Sequence, residues 1–172
     1  MAEHGLSAAA QAEQVARASY GRLLAILAAP TGDIPAAEDA LADAFVRALS
    51  TWPRAGIPDN PEGWLMTVAR NRQRDVYKSA AYRTAAPLHD ESSAWSPMDE
   101  VDPDAIPDKR LALMFACAHP AIDAGIRTPL MLQTVLGFDA ARIATAFAIP
   151  EPTIAGRLVR AKRRIRDARI TF

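Results

Sequence analysis

The clearest pattern of apolar and polar positions lies between residues 150 and 170, where the two kinds of side chain separate at helical spacing. The apolar ones recur at steps of three and four residues, which places them on one face of a helix: Ile154, Leu158, Ala161 and Ile165. The basic ones fall on another face: Arg157, Arg160 and Arg164. The pattern predicts a helix that packs through one side and offers cations to DNA phosphate through the other.

A short amphipathic segment, residues 139–147, precedes this basic helix and is joined to it by residues 148–150. Two helices in tight connection, with the small Ala144 where they would cross, are typical of a helix-turn-helix unit. Basic amphipathic helices also lie on membranes or bind partner helices. The short preceding helix favours DNA binding over these alternatives.

Helical periodicity continues through the rest of the chain, and no window alternates convincingly with the period of two that a strand requires. Helices are expected over residues 8–29, 36–49, 61–81, 109–118 and 127–136. Pro30 and Gly32 end the first of them, and the proline-rich stretch from Ser50 to Glu62 is expected to be a loop. The chain is therefore predicted to be all-α.

Charge divides the chain further, although 20 Lys and Arg balance 20 Asp and Glu among the 172 residues. Basic residues cluster within 70–83 and 157–169, whereas acidic residues and prolines mix between these blocks, as is typical of an irregular connector. We expect two small helical domains, residues 1–84 and 108–172, joined by an acidic linker over residues 85–107.

Composition narrows the class of protein. Half of the residues are apolar, which is enough to bury a core. No apolar run approaches the roughly 20 residues that span a bilayer, and a single cysteine, Cys117, fits a reducing compartment. We therefore expect a cytoplasmic protein that does not insert into membranes.

Two predicted helices carry polar faces of interest. In the helix over 36–49, one set of charged residues points largely outward: Glu38, Asp39, Asp43 and Arg47. In the helix over 61–81, another set shares one face: Thr67, Arg70, Asn71, Arg74 and Lys78. The residues expected opposite this second set are apolar: Leu65, Val68, Ala69 and Val76. An asparagine among basic residues suggests base reading, although an ordinary surface asparagine gives the same pattern.

No complete set of catalytic or metal-binding residues is found. The carboxylates between Asp33 and Asp43 lack a histidine or a second cluster, and Cys117 with His119 lacks the four ligands of a structural zinc site. No glycine-rich phosphate loop is present either. We expect neither an enzyme nor a bound metal or cofactor.

Three segments, in this order, resemble the extracytoplasmic-function (ECF) group of bacterial RNA polymerase sigma factors. Residues 32–45 are similar to the polymerase-binding helix of that group, residues 64–72 to its promoter-melting helix, and residues 153–165 to its upstream-element helix. The resemblance implies a two-domain, all-helical alternative sigma factor. Its partners would be core RNA polymerase and promoter DNA, with an anti-sigma protein as a candidate regulator.

The resemblance also implies roles for particular residues. Three residues on the charged face of the second helix would match the polymerase contacts of the family: Asp39, Asp43 and Arg47. We expect Glu38, on the same face, to join them. The loop over 50–62 would cap a flipped base, Asn71 would line its pocket, and neighbouring cations would hold the backbone: Arg70, Arg74 and Lys78. The upstream element would be read by the last helix: Thr153, Ala155, Gly156, Arg157, Arg160 and Arg164.

This chain departs from the family at several of these positions. Ala42 stands where a glutamine is usual, and Ala155 and Gly156 replace longer polar residues, so that specificity is expected to depend more on DNA shape. Ala148 stands at a customary turn glycine, where a left-handed conformation would cost about 1 kcal/mol.

Cys117-Ala-His119-Pro120, together with residues 158–163, resembles a subgroup that usually carries a helical-repeat extension after the second domain. The printed chain ends at Phe172, so no regulatory role of such an extension is carried over. Two other functions remain open: a helix-turn-helix regulator that acts without polymerase, and a sigma-like decoy that binds an anti-sigma protein. A plain regulator would not need the acidic helix, and a decoy would not need Asn71 and its basic face.

Overall fold

The computed structural model describes residues 7–84 and 108–172. These residues form seven helices and no strand: α1 Ala8–Ala28, α2 Ile34–Ala55, α3 Pro61–Thr84, α4 Arg110–Ala118, α5 Ala124–Thr134, α6 Ala140–Phe147 and α7 Glu151–Asp167. The prediction of an all-α protein is confirmed. The predicted acidic linker lies outside the described residues.

Side-chain caps explain where several helices begin. The side chains of Ser7, Asp33 and Asp139 accept hydrogen bonds from the backbone N–H groups of α1, α2 and α6, respectively. Asn60 does the same for α3, accepting from the N–H of Gly63 at 2.9 Å. Asp123 accepts from the N–H of Gly125, and α5 therefore begins earlier than the predicted residue 127.

The end of the second helix was predicted wrongly. We expected α2 to end at Leu49, but it continues to Ala55 with Pro53 inside its last turns. Trp52 explains the difference, since its side chain is 2 % exposed and meets Trp64 edge to face, with ring centroids 5.5 Å apart. Pro53 removes only one backbone donor near the helix end, and burial of the indole outweighs that loss. Gly56, at a φ of 88°, then ends the helix.

Helices α1, α2 and α3 pack around large side chains that are almost completely buried: Leu23, Leu24, Leu27, Leu41, Leu65 and Met66. The apolar pattern of α2 predicts five inward residues, of which four are buried and Phe45 is half buried: Ala37, Leu41, Ala44 and Ala48 are the buried ones. On α3 the prediction for Val76 is wrong, because this side chain is 44 % exposed. The stretch 74–79 is exposed on all sides, so no described helix covers that part of α3.

Helices α4 to α7 form a second group, in which α5 and α6 pack against α7 and α4 packs against α5. All four residues predicted for the apolar face of α7 are buried: Ile154, Leu158, Ala161 and Ile165. Ala144 of α6 is 5 % exposed, as expected at the crossing of two helices. The buried residues of both groups belong to one continuous cluster, so the two groups also pack against each other.

Replacing Trp52 with alanine should lower the free energy of unfolding by about 3–5 kcal/mol, because a fully buried indole and its contact with Trp64 are lost. The matched control is Thr51→Ala, since Thr51 precedes it on α2 and is exposed. This control should change stability by no more than about 0.5 kcal/mol. Urea unfolding followed by circular dichroism measures both, and equal effects would contradict the role given to Trp52.

Candidate protein and nucleic-acid interfaces

The charged face of α2 is built from residues four positions apart, which places Asp39, Asp43 and Arg47 on one side of the helix. Asp39 and Arg47 are exposed. The Asp43 carboxylate accepts a hydrogen bond from Arg72 Nε at 2.6 Å, and both side chains are about half exposed. Arg72, which interrupts the apolar pattern of α3, thus lies at the edge between α2 and α3.

Glu38 does not share this outward face, so the prediction that it points outward is wrong. Its side chain is 19 % exposed, and Oε2 accepts a hydrogen bond from Lys162 Nζ at 2.6 Å. Burial raises the pKa of the Glu38 carboxyl above its ordinary value, although the nearby Lys162 ammonium opposes that shift. The Glu38 side chain is covered because α7 packs against the beginning of α2.

The polar face of α3 combines two half-buried residues, Arg70 and Asn71, with two exposed cations, Arg74 and Lys78. Burial lowers the pKa of the Arg70 guanidinium, whose ordinary value is so high that the group stays charged. The face therefore presents three cations and one amide in the order in which they follow along the helix.

Two contacts show how α3 lies against α2. Trp64 meets Trp52 near the end of α2, whereas Arg72 meets Asp43 near its middle, so the two helices run antiparallel. Asn71 follows Pro61 by ten residues, about 15 Å along the helix axis. The loop after α2 therefore lies at the beginning of α3, whereas Asn71 lies near the middle of that helix.

The basic face of α7 is exposed at Arg157, Arg160 and Arg164. These arginines line a cleft of about 510 Å³, whose opposite wall is formed by Ile122 and Asp123 just before α5 and by Ile126 in its first turn. Thr153 is exposed on the first turn of α7, while Ala155 and Gly156 are half buried. In helix-turn-helix proteins this first part of the second helix meets base edges, and cations beside it meet phosphate.

Ala148, in the turn between α6 and α7, has the left-handed conformation whose cost the sequence raised for this position. Ala148 has φ 52° and ψ 40°, and the N–H of Ile149 donates to the carbonyl of Ala144 at 3.0 Å. A left-handed residue with this hydrogen bond is a common way to end a helix, usually with glycine. The helix-turn-helix therefore forms with an alanine in a conformation that disfavours a Cβ atom.

Cys117 and His119 lie in different environments, one buried and the other exposed. Cys117 is buried with Sγ 3.4 Å from Thr134 Oγ1, and burial raises the pKa of its thiol to about 11. His119 is exposed in the turn after α4, where its Nδ1 accepts from the N–H of Ala121. Within residues 7–84 and 108–172, no three His, Cys, Asp or Glu side chains are grouped so that they would hold a metal ion.

Sequence reasoning missed Lys162, the partner of Glu38. One signal was present, because Lys162 follows Leu158 by four residues and so lies beside the apolar stripe of α7. Its partner, 124 residues away in the chain, left no local signal.

Known proteins resemble the chain in both groups of helices. Residues 15–83, which fall within α1 to α3, match the family described as Sigma-70 region 2. The ECF RNA polymerase sigma factor SigL of Mycobacterium tuberculosis is 32 % identical over 137 residues, which cover 79 % of this chain and 76 % of SigL. The chain belongs to the ECF family of RNA polymerase sigma factors. As a member of that family it is an alternative sigma factor, a class that directs transcription initiation.

Other relatives of this sigma factor are longer than the chain. An uncharacterized protein of Rhizobium meliloti is 36 % identical over 143 residues, which cover 79 % of this chain but 33 % of that protein. The probable ECF sigma factor SigI of M. tuberculosis is 31 % identical over 145 residues, 81 % of this chain and 49 % of SigI. The chain thus spans about a third and a half, respectively, of these two relatives. In the part of the sigma factor that the structure describes, no helix is long and apolar enough to cross a bilayer.

Replacing Ala148 with glycine should raise the free energy of unfolding by about 0.5–1 kcal/mol, because the left-handed turn no longer strains a Cβ atom. Part of that gain is offset by the greater freedom of glycine in the unfolded chain. Ala146→Gly is the matched control, since Ala146 is an exposed residue inside α6. The control should lower stability by about 1 kcal/mol. Thermal unfolding measures both, and destabilisation by both variants would contradict the turn geometry.

Proposed function

We propose that this ECF sigma factor binds core RNA polymerase through α2, opens promoter DNA with α3 and reads the upstream promoter element with α7. The observation that carries the proposal is the presence, on one chain, of an exposed acidic and basic face on α2 and an exposed arginine face on α7. The first suits a protein partner and the second suits phosphate and base edges. We place this activity in the cytoplasm and assign the chain no catalytic step of its own.

The proposed polymerase surface consists of Asp39, Asp43 and Arg47. Exposed charges of both signs in a row favour a complementary charged partner and set the register of docking. Glu38, which the sequence led us to expect on this surface, contributes only after its ion pair with Lys162 is broken. The Arg72 side chain is paired with Asp43 over 2.6 Å but is half exposed, and such pairs are weak enough to exchange partners.

The proposed melting surface is the polar face of α3. Arg74 and Lys78 are exposed and suit phosphates, while the half-buried Asn71 offers an amide with both a donor and an acceptor. An extruded base is recognised through such hydrogen bonds on its edge, and cations beside it hold the backbone. Arg70, half buried on the same face, supports the same assignment.

The proposed upstream-element surface lies on α7. Arg157, Arg160 and Arg164 reach phosphate or guanine, and Thr153 stands where base edges are met. Ala155 and Gly156 provide few hydrogen bonds, which supports recognition that depends on DNA shape and spacing. In this proposal residues 1–84 and 108–172 act as separate domains on the polymerase, with residues 85–107 as the connection.

A regulatory partner of the anti-sigma class is part of the proposal as well. Large apolar side chains of α4 are exposed, with Leu111 at 63 % and Phe115 at 69 %. Such a surface is of the kind that protein partners cover. Transcription with purified core polymerase and a promoter library tests the proposal. Promoter-specific transcripts would support it, whereas DNA binding without any transcripts would contradict it.

Reversing both Asp39 and Asp43 to lysine should weaken binding to core polymerase at least about tenfold, because complementary charges become repulsive. Binding is measured by fluorescence anisotropy of the labelled full chain. Glu13→Lys on α1 is the control for the change in charge, since Glu13 is exposed outside the proposed surface. Helicity should be unchanged in both variants. Polymerase binding that survives the double reversal would exclude α2 as the docking helix.

Asn71→Ala and Arg160→Ala should fail at different steps. Loss of the Asn71 amide removes contacts to an extruded base worth about 1–3 kcal/mol, so transcription from duplex promoters falls while closed-complex formation is spared. Loss of Arg160 weakens initial binding, and the defect appears before melting. Transcription from duplex and premelted templates, with closed complexes measured by gel shift, compares the two.

Arg17→Ala serves as the control for loss of an exposed arginine outside the proposed DNA surfaces. It should leave both templates unaffected. Identical defects of the Asn71 and Arg160 variants on both templates would contradict the division of labour between α3 and α7.

A further inference from the structure

The side of α7 opposite Arg157, Arg160 and Arg164 is in contact with the beginning of α2. Lys162 is 8 % exposed as a residue, and its Nζ lies 2.6 Å from Glu38 Oε2. One turn further along α7, Arg166 Nη1 lies 3.8 Å from Asp33 Oδ2, and Asp33 caps α2. The helix assigned to DNA thus pairs twice with the helix assigned to polymerase.

The two groups of helices also meet at a second place, between α1 and the residues after α5, where the backbone approach is one that only glycine allows. A Cβ atom built on Gly21 of α1 would lie 1.9 Å from the carbonyl oxygen of Val135, just after α5. Nearby, Gly137 lies against the ring of Tyr20, where an added Cβ would come within 3.3 Å of the ring. The two groups of helices therefore meet through a close-fitting surface and not only through charged side chains.

Burial makes the central ion pair sensitive to its geometry. The side chains of Lys162 and Glu38 are 9 % and 19 % exposed, so each has lost most of its water. A buried charge left without its partner is strongly unfavourable, whereas a matched pair is tolerated. Tyr20 adds to this environment, because burial and the Glu38 charge both raise the pKa of its hydroxyl. Reversal of one charge at this place therefore opposes closure much more than it would on a free surface.

We infer that α7 is an internal ligand of α2, and that this closed form competes with polymerase for the first turns of the docking helix. The inference rests on the proposed function of α2. Closure occupies Asp33 and Glu38 of α2, yet it leaves Asp39 and Arg47 exposed. The arginine face of α7 is exposed as well: Arg157, Arg160 and Arg164. Polymerase must displace α7 to reach the whole of α2, and closure thereby lowers the apparent affinity for polymerase.

The closed form is tested by the distance between the two groups of helices. Spin labels are placed at Ala18→Cys on α1 and Thr145→Cys on α6, both exposed positions, in a Cys117→Ala background. Pulsed electron paramagnetic resonance should give one narrow distance for the otherwise unaltered chain. Lys162→Glu should give a longer and broader distribution, and Glu38→Lys combined with Lys162→Glu should restore the narrow one. An unchanged distribution in Lys162→Glu, with helicity retained, would overturn the inference.

A second variant tests the packed contact between the two groups of helices without changing any charge. Gly21→Ala should open the chain, because its Cβ cannot fit beside Val135, while alanine favours the helical state of α1. Gly156→Ala is the matched control for distance, since its Cβ would meet only the end of the Arg160 side chain at 3.5 Å. A narrow distance retained in Gly21→Ala would overturn the packed contact, whereas opening in Gly156→Ala would show that any glycine replacement has this effect and would also overturn it.

The effect on polymerase is measured separately by titration of core enzyme. If about 90 % of the free chain is closed, Lys162→Glu should bind polymerase roughly tenfold more tightly, because the competing state is removed. Opening in the distance measurement without a gain in affinity would overturn the competition. Failure of the proposed docking helix is a different result, since it appears as unchanged binding after reversal of Asp39 and Asp43.

Discussion

Burial of one apolar stripe on α7 is the constraint on which the rest of the arrangement depends. Ile154, Leu158 and Ile165 are at most 1 % exposed, so the rotation of α7 about its own axis is set by their packing. Once that rotation is set, Arg157, Arg160 and Arg164 must face solvent, and Lys162, at the edge of the stripe, must meet whatever packs beside it. The packing of this one stripe therefore orients both the face assigned to DNA and the contact with α2.

The first group of helices follows the same logic with a different anchor. The Trp52 and Trp64 rings hold the end of α2 against the beginning of α3, and the Arg72 pair with Asp43 joins them nearer the middle. The surface assigned to polymerase and the surface assigned to melting therefore lie on neighbouring antiparallel helices. The indole contact contributes more stability than the ion pair, because the pair is half exposed and such pairs contribute little.

The contact between the two groups of helices concerns α7, which also carries the arginine face assigned to DNA. The arginine face of α7 is assigned to DNA, whereas the Lys162 ammonium on the opposite edge pairs with Glu38 within the chain. In the inferred closed form, this arrangement couples domain closure to docking. The coupling depends on the Lys162–Glu38 pair because its charges are largely removed from water and therefore discriminate sharply between a matched and a mismatched partner.

Local rules acting within a few turns of helix were sufficient for much of the fold. The periodicity of α7 and the inward face of α2 both follow from side-chain spacing, which the sequence alone contains. The end of α2 and the orientation of Glu38 were decided by tertiary structure, since Trp52 needs Trp64 and Glu38 needs Lys162, a residue 124 positions away. Spacing predicts which side of a helix is apolar, but only the packed neighbour decides whether a charged residue at the edge of that side meets water or a partner.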